Sequence, residues 1–469
     1  MSNSNNKRIV ITIFSSILIV YIFSIVYAII TQKPFYADGS NFFISILKNQ
    51  SFEMDYPSRQ YANYFTEVPT VLCIKLLHLR NINTLSYIFG IGYFLPSIIC
   101  LLICFYIVRN INIDYMFFPI VSLFGITQNI QFNITTQSIV IISVFWPILF
   151  FIIFVKEYNL FDFILLMLMT LIFMRSYESA SIFGFIILIV LFIEIYQNWR
   201  TASIRTKLVW VLLTLMIMNS IVIAIMTTIR PNKNKDDFLK DVPTVLNHYQ
   251  AMLSIIYIAL ISVCLLVKRF GESVYFKFIV AILLPITIYF SFLPVIRPEL
   301  TRPGLQFQAR SLHVYMIPCL CIIAYIVIKG IIRVSESAWK RAFILCAFLV
   351  TGQLTWQIST TYQWNGFRQI FKEELMTKKG YVRFEETRLV NNRIGNQLVR
   401  DMTWPWSNPT LSILWSSNLD VRTIIANPQE YHGWKPFNPQ NIQSLPKIEN
   451  FGFSYQKYIE YIKSNNSQQ

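Results

Sequence analysis

Charge is scarce in this chain, and acid is scarcer than base. Of 469 residues, 24 are Asp or Glu and 40 are Lys or Arg; charged residues make up 14% of the chain and hydrophobic ones 55%, with a mean hydropathy of +0.49. A soluble domain cannot hide that much apolar surface, which excludes a water-soluble enzyme as the main body. No GxxxxGK[ST] loop is present, so the motif of an ATP-driven pump is missing. HExxH and DxD-type metal clusters are absent, as is the GxSxG elbow of a Ser/His/Asp hydrolase. Glycine is sparse, with 14 residues. Gly90-Ile-Gly92 stands at the head of an apolar run and is no dinucleotide fingerprint. The seven cysteines (73, 100, 104, 264, 319, 321 and 346) fall almost entirely in apolar runs. They read as small buried hydrophobes, not as a disulfide framework or a zinc site.

What is abundant is apolar sequence in runs of bilayer length. Hydrophobicity predicts about eleven transmembrane helices, at about 9–30, 85–108, 113–128, 134–155, 160–174, 177–196, 207–228, 250–267, 276–296, 312–332 and 341–360. The runs at 113–128 and 160–174 are short enough to be tilted or broken. The first run is too long for a signal-peptide core and no small-residue cleavage site follows, so a retained span is expected.

The net charge of +16 reflects topology, not nucleic-acid binding. With the N-terminus inside, short loops bearing Arg109, Lys156, Arg200, Arg205, Lys207, Lys268, Arg269, Arg333, Lys340 and Arg341 fall on the cytoplasmic side. The longer, acid-containing segments 31–84, 229–249, 297–311 and everything after about 361 then lie outside. The Ile-rich, Gly-poor composition is compatible with a bacterial source, which places the protein in the cytoplasmic membrane. Two domains are expected: residues 1–360, with the spans and the first outer loop, and a small extracytoplasmic α+β domain over 361–469. In the latter, Thr410–Trp415 and 421–425 read as short strands between Trp-Pro, Asn-Pro and His-Gly turns.

The first outer loop holds two amphipathic helices, one with Phe42, Phe43, Ile46 and Leu47 in its stripe and one with Tyr64, Phe65, Val68, Leu72, Leu76 and Leu79. Asp38 precedes the first of them. It is either a helix cap or a general base at the bilayer surface. Of Glu53 and Asp55, one assists Asp38 or binds an acceptor; the plain alternative for each is a solvated loop charge or a pairing with Arg59. Arg59, among aromatics, holds a phosphate or anchors an interfacial helix. Arg175-Ser-Tyr-Glu178 forms a short outer turn; Glu178 is a second catalytic candidate or half of a structural ion pair within that turn. The loop with Arg297, Arg302, Arg310 and His313 is the densest polar constellation in the chain. It reads as a clamp for a lipid phosphate, with headgroup anchoring as the plain alternative. Trp404, Trp406, Trp415 and Trp434 either stack on sugars or fill the core of the C-terminal domain.

Asp38 in the first outer loop, the two helices after it, the many spans and the outer C-terminal segment together resemble the GT-C superfamily of membrane glycosyltransferases. Asp38 stands alone here, without the doubled acid seen in some members. The resemblance implies that Asp38 is the base and that the donor is a sugar on a polyprenyl phosphate. It also implies an acceptor glycan, lipid or protein on the outer face, with inversion at the anomeric carbon. No cofactor or metal is indicated. An O-antigen polymerase or ligase also handles lipid-linked sugars with outer arginines, but carries its large outer loop between late spans. A transporter or flippase predicts internal repeats and charges near the midplane, and neither is evident. A structural assembly protein, with its acids serving as caps and ion pairs, is the remaining class.

Overall fold

The computed structural model describes residues 4–54, 59–127, 137–229, 249–267, 275–296, 312–391, 393–394, 397–398, 407–416 and 423–426. Asp55, Arg297, Arg302, Arg310, Trp404, Trp406 and Trp434 lie outside these residues.

The protein is a helical membrane protein. The long helices are α1 (Ser4–Ile30), α4 (Ile82–Val108), α5 (Ser138–Phe154), α6 (Leu160–Met174), α7 (Ala180–Asn198), α8 (Ile204–Ile229), α9 (Tyr249–Leu266), α10 (Tyr275–Ile296), α11 (Leu312–Ile328) and α12 (Glu336–Thr377). The first loop supplies α2 (Asp38–Asn49) and α3 (Gln60–Lys75). Among the described residues, four helices are long and apolar enough to cross a membrane by themselves: α4, α7, α8 and α12. Shorter apolar helices stand at the other positions where the sequence places spans. The expected break near 113–128 is real. Ile113–Met116 is 3-10, Phe117–Ile120 is one α turn and Val121–Ile126 is a π-helix.

Helix α5 is apolar on every face and buried from Ser138 to Ile153, as a helix at the centre of a bundle must be. The surface helices show the reverse. Phe23, Val26 and Ile30 of α1 are exposed, as lipid-facing residues are. Five of the seven cysteines are buried, Cys73 is half-buried and Cys319 is exposed, and none is in a disulfide.

Two expectations for the C-terminal segment change. Thr410–Trp415 is not a strand but part of helix α13 (Asn408–Trp415). Pro409 sits in its first turn, where its fixed φ suits a helix start, and the whole helix is buried among aromatic rings. The last helix does not stop at 360, where the span was expected to end. Ser335 caps α12 by accepting from the Ala338 N–H at 3.2 Å, and with no proline before Thr377 the helix continues to that residue. Strand β1 (Gly380–Arg383) pairs in parallel with β4 (Thr423–Ala426), the expected strand, and β2 (Arg393–Ile394) pairs antiparallel with β3 (Gln397–Leu398).

The upper part of α12, α13 and the first loop share one core. Phe35, Tyr36, Phe43, Phe89, Trp364, Phe367, Phe371 and Trp415 pack together there. Trp364 Nε1 donates to the Thr31 carbonyl at 3.0 Å, and Trp415 Nε1 donates to Gln32 Oε1 at 2.9 Å. The Thr410 hydroxyl lies 3.1 Å from that of Ser40 and 3.2 Å from Asn41 Oδ1. Trp415 is therefore a core residue, joined to the loop that carries Asp38.

The segments assigned to one side of the membrane touch one another. At one end of the bundle, the 31–81 loop meets the 174–179 turn through the Tyr61 N–H, which donates to the Arg175 carbonyl at 3.1 Å. At the other end, Lys329 pairs with Glu194, and the Thr206 hydroxyl donates to the Lys156 carbonyl at 2.9 Å.

Candidate functional site

The first loop opens with two residues in backbone regions that L-residues rarely occupy. Gln32 has φ 56 and ψ 32, and Ala37 has φ 53 and ψ −122. The Ala37 conformation suits glycine. An alanine there stores about 1–3 kcal/mol of strain, which the surrounding core must hold in place. Asp38 follows it directly. It is not the helix cap; Ala37 occupies that position, and Asp38 is the first helical residue of α2, half-buried. A carboxylate there is favoured by the helix dipole.

Arg59, at the entry to α3, reaches the turn between α6 and α7. Its Nε donates to Glu178 Oε1 at 3.0 Å, and its guanidinium lies 4.6 Å from the centre of the Tyr177 ring. Burial by itself lowers the Arg59 pKa, but Tyr177, Glu178 and Asp38 outweigh it and raise the net value. Asp38, Arg59 and Glu178 thus form one electrostatic cluster drawn from three separate stretches of chain. The ion pair expected inside the turn does not form. Arg175 instead donates to Gln60 Oε1 at 3.3 Å and stacks over Tyr61 at 5.5 Å.

Helix α3 turns its apolar stripe outward. Val68, Leu72 and Leu76 are exposed, whereas Asn63, Glu67 and Thr70 are buried. The polar face packs inward because it has partners there. The Gln137 amide donates to Asn63 Oδ1 at 2.9 Å, Asn63 Nδ2 donates to the Glu53 carbonyl at 3.1 Å, and the Glu53 N–H donates to Glu67 Oε2 at 2.8 Å. Glu53 is therefore no solvated loop charge; it is buried beside a second acid. Burial raises the Glu67 pKa well above the ordinary range, against the Glu53 N–H and with the help of the Glu53 charge. Glu67 lines a small pocket with Phe42, Asn63, Thr66, Phe89, Tyr93 and Gln137. Phe42 lies one turn beyond Asp38 on the same face of α2.

Sequence reasoning missed Glu67 as a site residue, because nothing in the local pattern of α3 names the partners of its polar face. It also missed Lys33. That side chain is buried and has no hydrogen-bond partner among the described residues for its Nζ, which lies 4.3 Å from the Tyr36 ring centre and 5.2 Å from that of Trp364. Burial pushes its pKa down to about 7.

Of the late-loop residues, His313 is described. It is buried in the first turn of α11, with its ring 6.1 Å from that of Phe183, five residues after Glu178. The positions of Asp55, Arg297, Arg302 and Arg310 are outside the described residues. No group of three or more His, Cys, Asp or Glu that would hold a metal occurs among the described residues.

No protein-family model, curated protein or solved structure matches the chain.

Proposed function

We propose that the protein is an inverting glycosyltransferase with eleven membrane spans. In this reading it moves a sugar from a polyprenyl-phosphate donor to a glycan, lipid or protein acceptor at the outer face of a bacterial cytoplasmic membrane. The observation that carries the proposal is the convergence of Asp38, Arg59 and Glu178 at one end of the bundle, with Asp38 fixed behind the strained Ala37.

The chemistry asked of the cluster is modest. The acceptor hydroxyl attacks the anomeric carbon, its proton passes to Asp38, and the bond from that carbon to the phosphate oxygen breaks on the opposite face. The polyprenyl phosphate leaves with its extra negative charge. Cations fixed beforehand at that point stabilise the transition state. Arg175 is a cation on this rim that has no carboxylate partner among the described residues. His313 supports the reading because its own ring lies 6.1 Å from that of Phe183, in the helix that follows the same turn. Arg59 is already held by Glu178, which assigns both to positioning Asp38, with Arg59 no longer a primary phosphate ligand. Glu53 and Glu67 lie behind this rim, where an acceptor group would enter.

The test is Asp38→Asn in full-length protein reconstituted in nanodiscs, with transfer measured from a polyprenyl-phosphate sugar. A drop of at least 100-fold at unchanged thermal midpoint is expected. Full retained activity removes Asp38 as the base.

A further inference from the structure

Helix α12 carries two cations that have no anion among the described residues. Arg368 and Lys372 are four residues apart and share a helix face with Trp364. Arg368 has a buried Nε without a hydrogen-bond partner among the described residues. The acids next in sequence are already committed. Glu374 binds Arg388 at 2.5 Å and Lys378 at 3.2 Å, and Glu373 binds Arg388 at 3.1 Å. The residue whose field reaches Arg368 is Tyr87 of α4, not a carboxylate. Burial, and then the charge of Arg368, lower the Lys372 pKa to about 8. Like charges at this spacing, both half-buried, work against folding. A fold that keeps them fits a site completed by a ligand anion.

The depth of the pair indicates which anion. Trp364 donates to the carbonyl of Thr31, the residue after the end of α1, and the lipid-facing side chains of α1 run up to Ile30. Trp364 therefore marks the edge of the apolar slab. At 1.5 Å per residue, Arg368 and Lys372 stand about 6 and 12 Å beyond it, within the headgroup layer. Tyr362 is exposed just below, as aromatic residues at that boundary commonly are.

We propose that Arg368 and Lys372 bind the phosphate of an anionic lipid headgroup at the membrane surface, one oxygen taking the fork of Arg368 and another the ammonium of Lys372. The site does not depend on the transferase reading and uses none of Asp38, Arg59 or Glu178.

The experiment compares thermal midpoints of the full-length protein in nanodiscs of phosphatidylcholine alone and of phosphatidylcholine with phosphatidylglycerol. A third arm adds inorganic phosphate to the phosphatidylcholine discs. Phosphatidylglycerol should raise the midpoint by about 3–5 °C. Arg368→Gln and Lys372→Gln should each lose most of that shift, while Lys379→Gln, an exposed cation nearby, should keep it. The two site variants should be no less stable than the parent in phosphatidylcholine, because a repulsion has been removed. An equal phosphatidylglycerol shift in both site variants overturns the proposal. A shift with inorganic phosphate equal to that with phosphatidylglycerol overturns the lipid as the ligand.

Discussion

Arg59 and Glu178 are 119 residues apart in the chain, yet Nε and Oε1 are separated by 3.0 Å. Both side chains are about three-quarters buried, so removing either leaves the other's charge poorly hydrated. Glu178→Ala and Arg59→Ala should each lower stability by about 2 kcal/mol, and the double variant should lose much less than the sum. A double-mutant cycle on thermal midpoints measures this. Additivity within about 0.3 kcal/mol rejects the coupling.

The strain at Ala37 has its own test. Ala37→Gly removes the Cβ from a backbone at φ 53 and ψ −122 and should stabilise the protein by about 1 kcal/mol, even after glycine's entropy cost. Ala37→Val should do the opposite. A lower midpoint for the glycine variant means that the turn is not strained.

Lys33 gives a pH-dependent prediction. Its folded value of about 7 lies below the ordinary lysine value of 10.5. Between those two values the unfolded chain holds a proton that the folded chain lacks, so this group makes stability rise with pH across that window. Below about pH 7 the full penalty is present. Lys33→Met should therefore stabilise the protein by about 2–4 kcal/mol at pH 6 and by progressively less towards pH 10. A pH-independent effect counts against a buried, neutralised lysine.

Glu67 slopes the other way. Its pKa is raised above the usual carboxylate value, so its contribution to stability is complete at low pH and is lost as pH climbs towards the folded value. Glu67→Gln keeps the shape and removes the proton. The variant should match the parent at pH 4.5 and be more stable at pH 8, as read from midpoints across that range.

Gly92 allows the approach of α3 to α4. A Cβ there would clash with the Thr66 carbonyl oxygen, which is backbone and cannot rotate away. Gly92→Ala should cost about 2–3 kcal/mol by forcing the helices apart. A loss below about 0.5 kcal/mol shows that the contact yields easily.

Much of this architecture was legible because bilayer solvation is a strong and local constraint. Apolar runs at 85–108 and 207–228 predicted α4 and α8 to within a turn, since a helix that meets lipid must be apolar along its own length. The turn at Arg175–Glu178 was also readable as a polar lip. The helix at Asn408–Trp415 was not. Its apolar run fits strand and helix alike, and the surrounding aromatic core decided between them. The inward face of α3 was left open by its pattern for a related reason. In water the apolar stripe goes in; beside a bilayer it can face out, leaving Asn63 and Glu67 to find partners inside.

By itself the sequence determined that this chain is a helical membrane protein, where its apolar helices lie and that polar residues gather in the loops at their ends. Composition and hydrophobic run length are properties of adjacent residues, and the membrane reads them one segment at a time. Only the tertiary structure decided that the charge of Asp38 reaches Arg59, which pairs with Glu178, that Thr410 secures the first turn of the Asp38 helix and that Lys33 is sealed beside Trp364. Those contacts join residues more than a hundred positions apart in most cases. They follow from how helices pack, which no local pattern encodes.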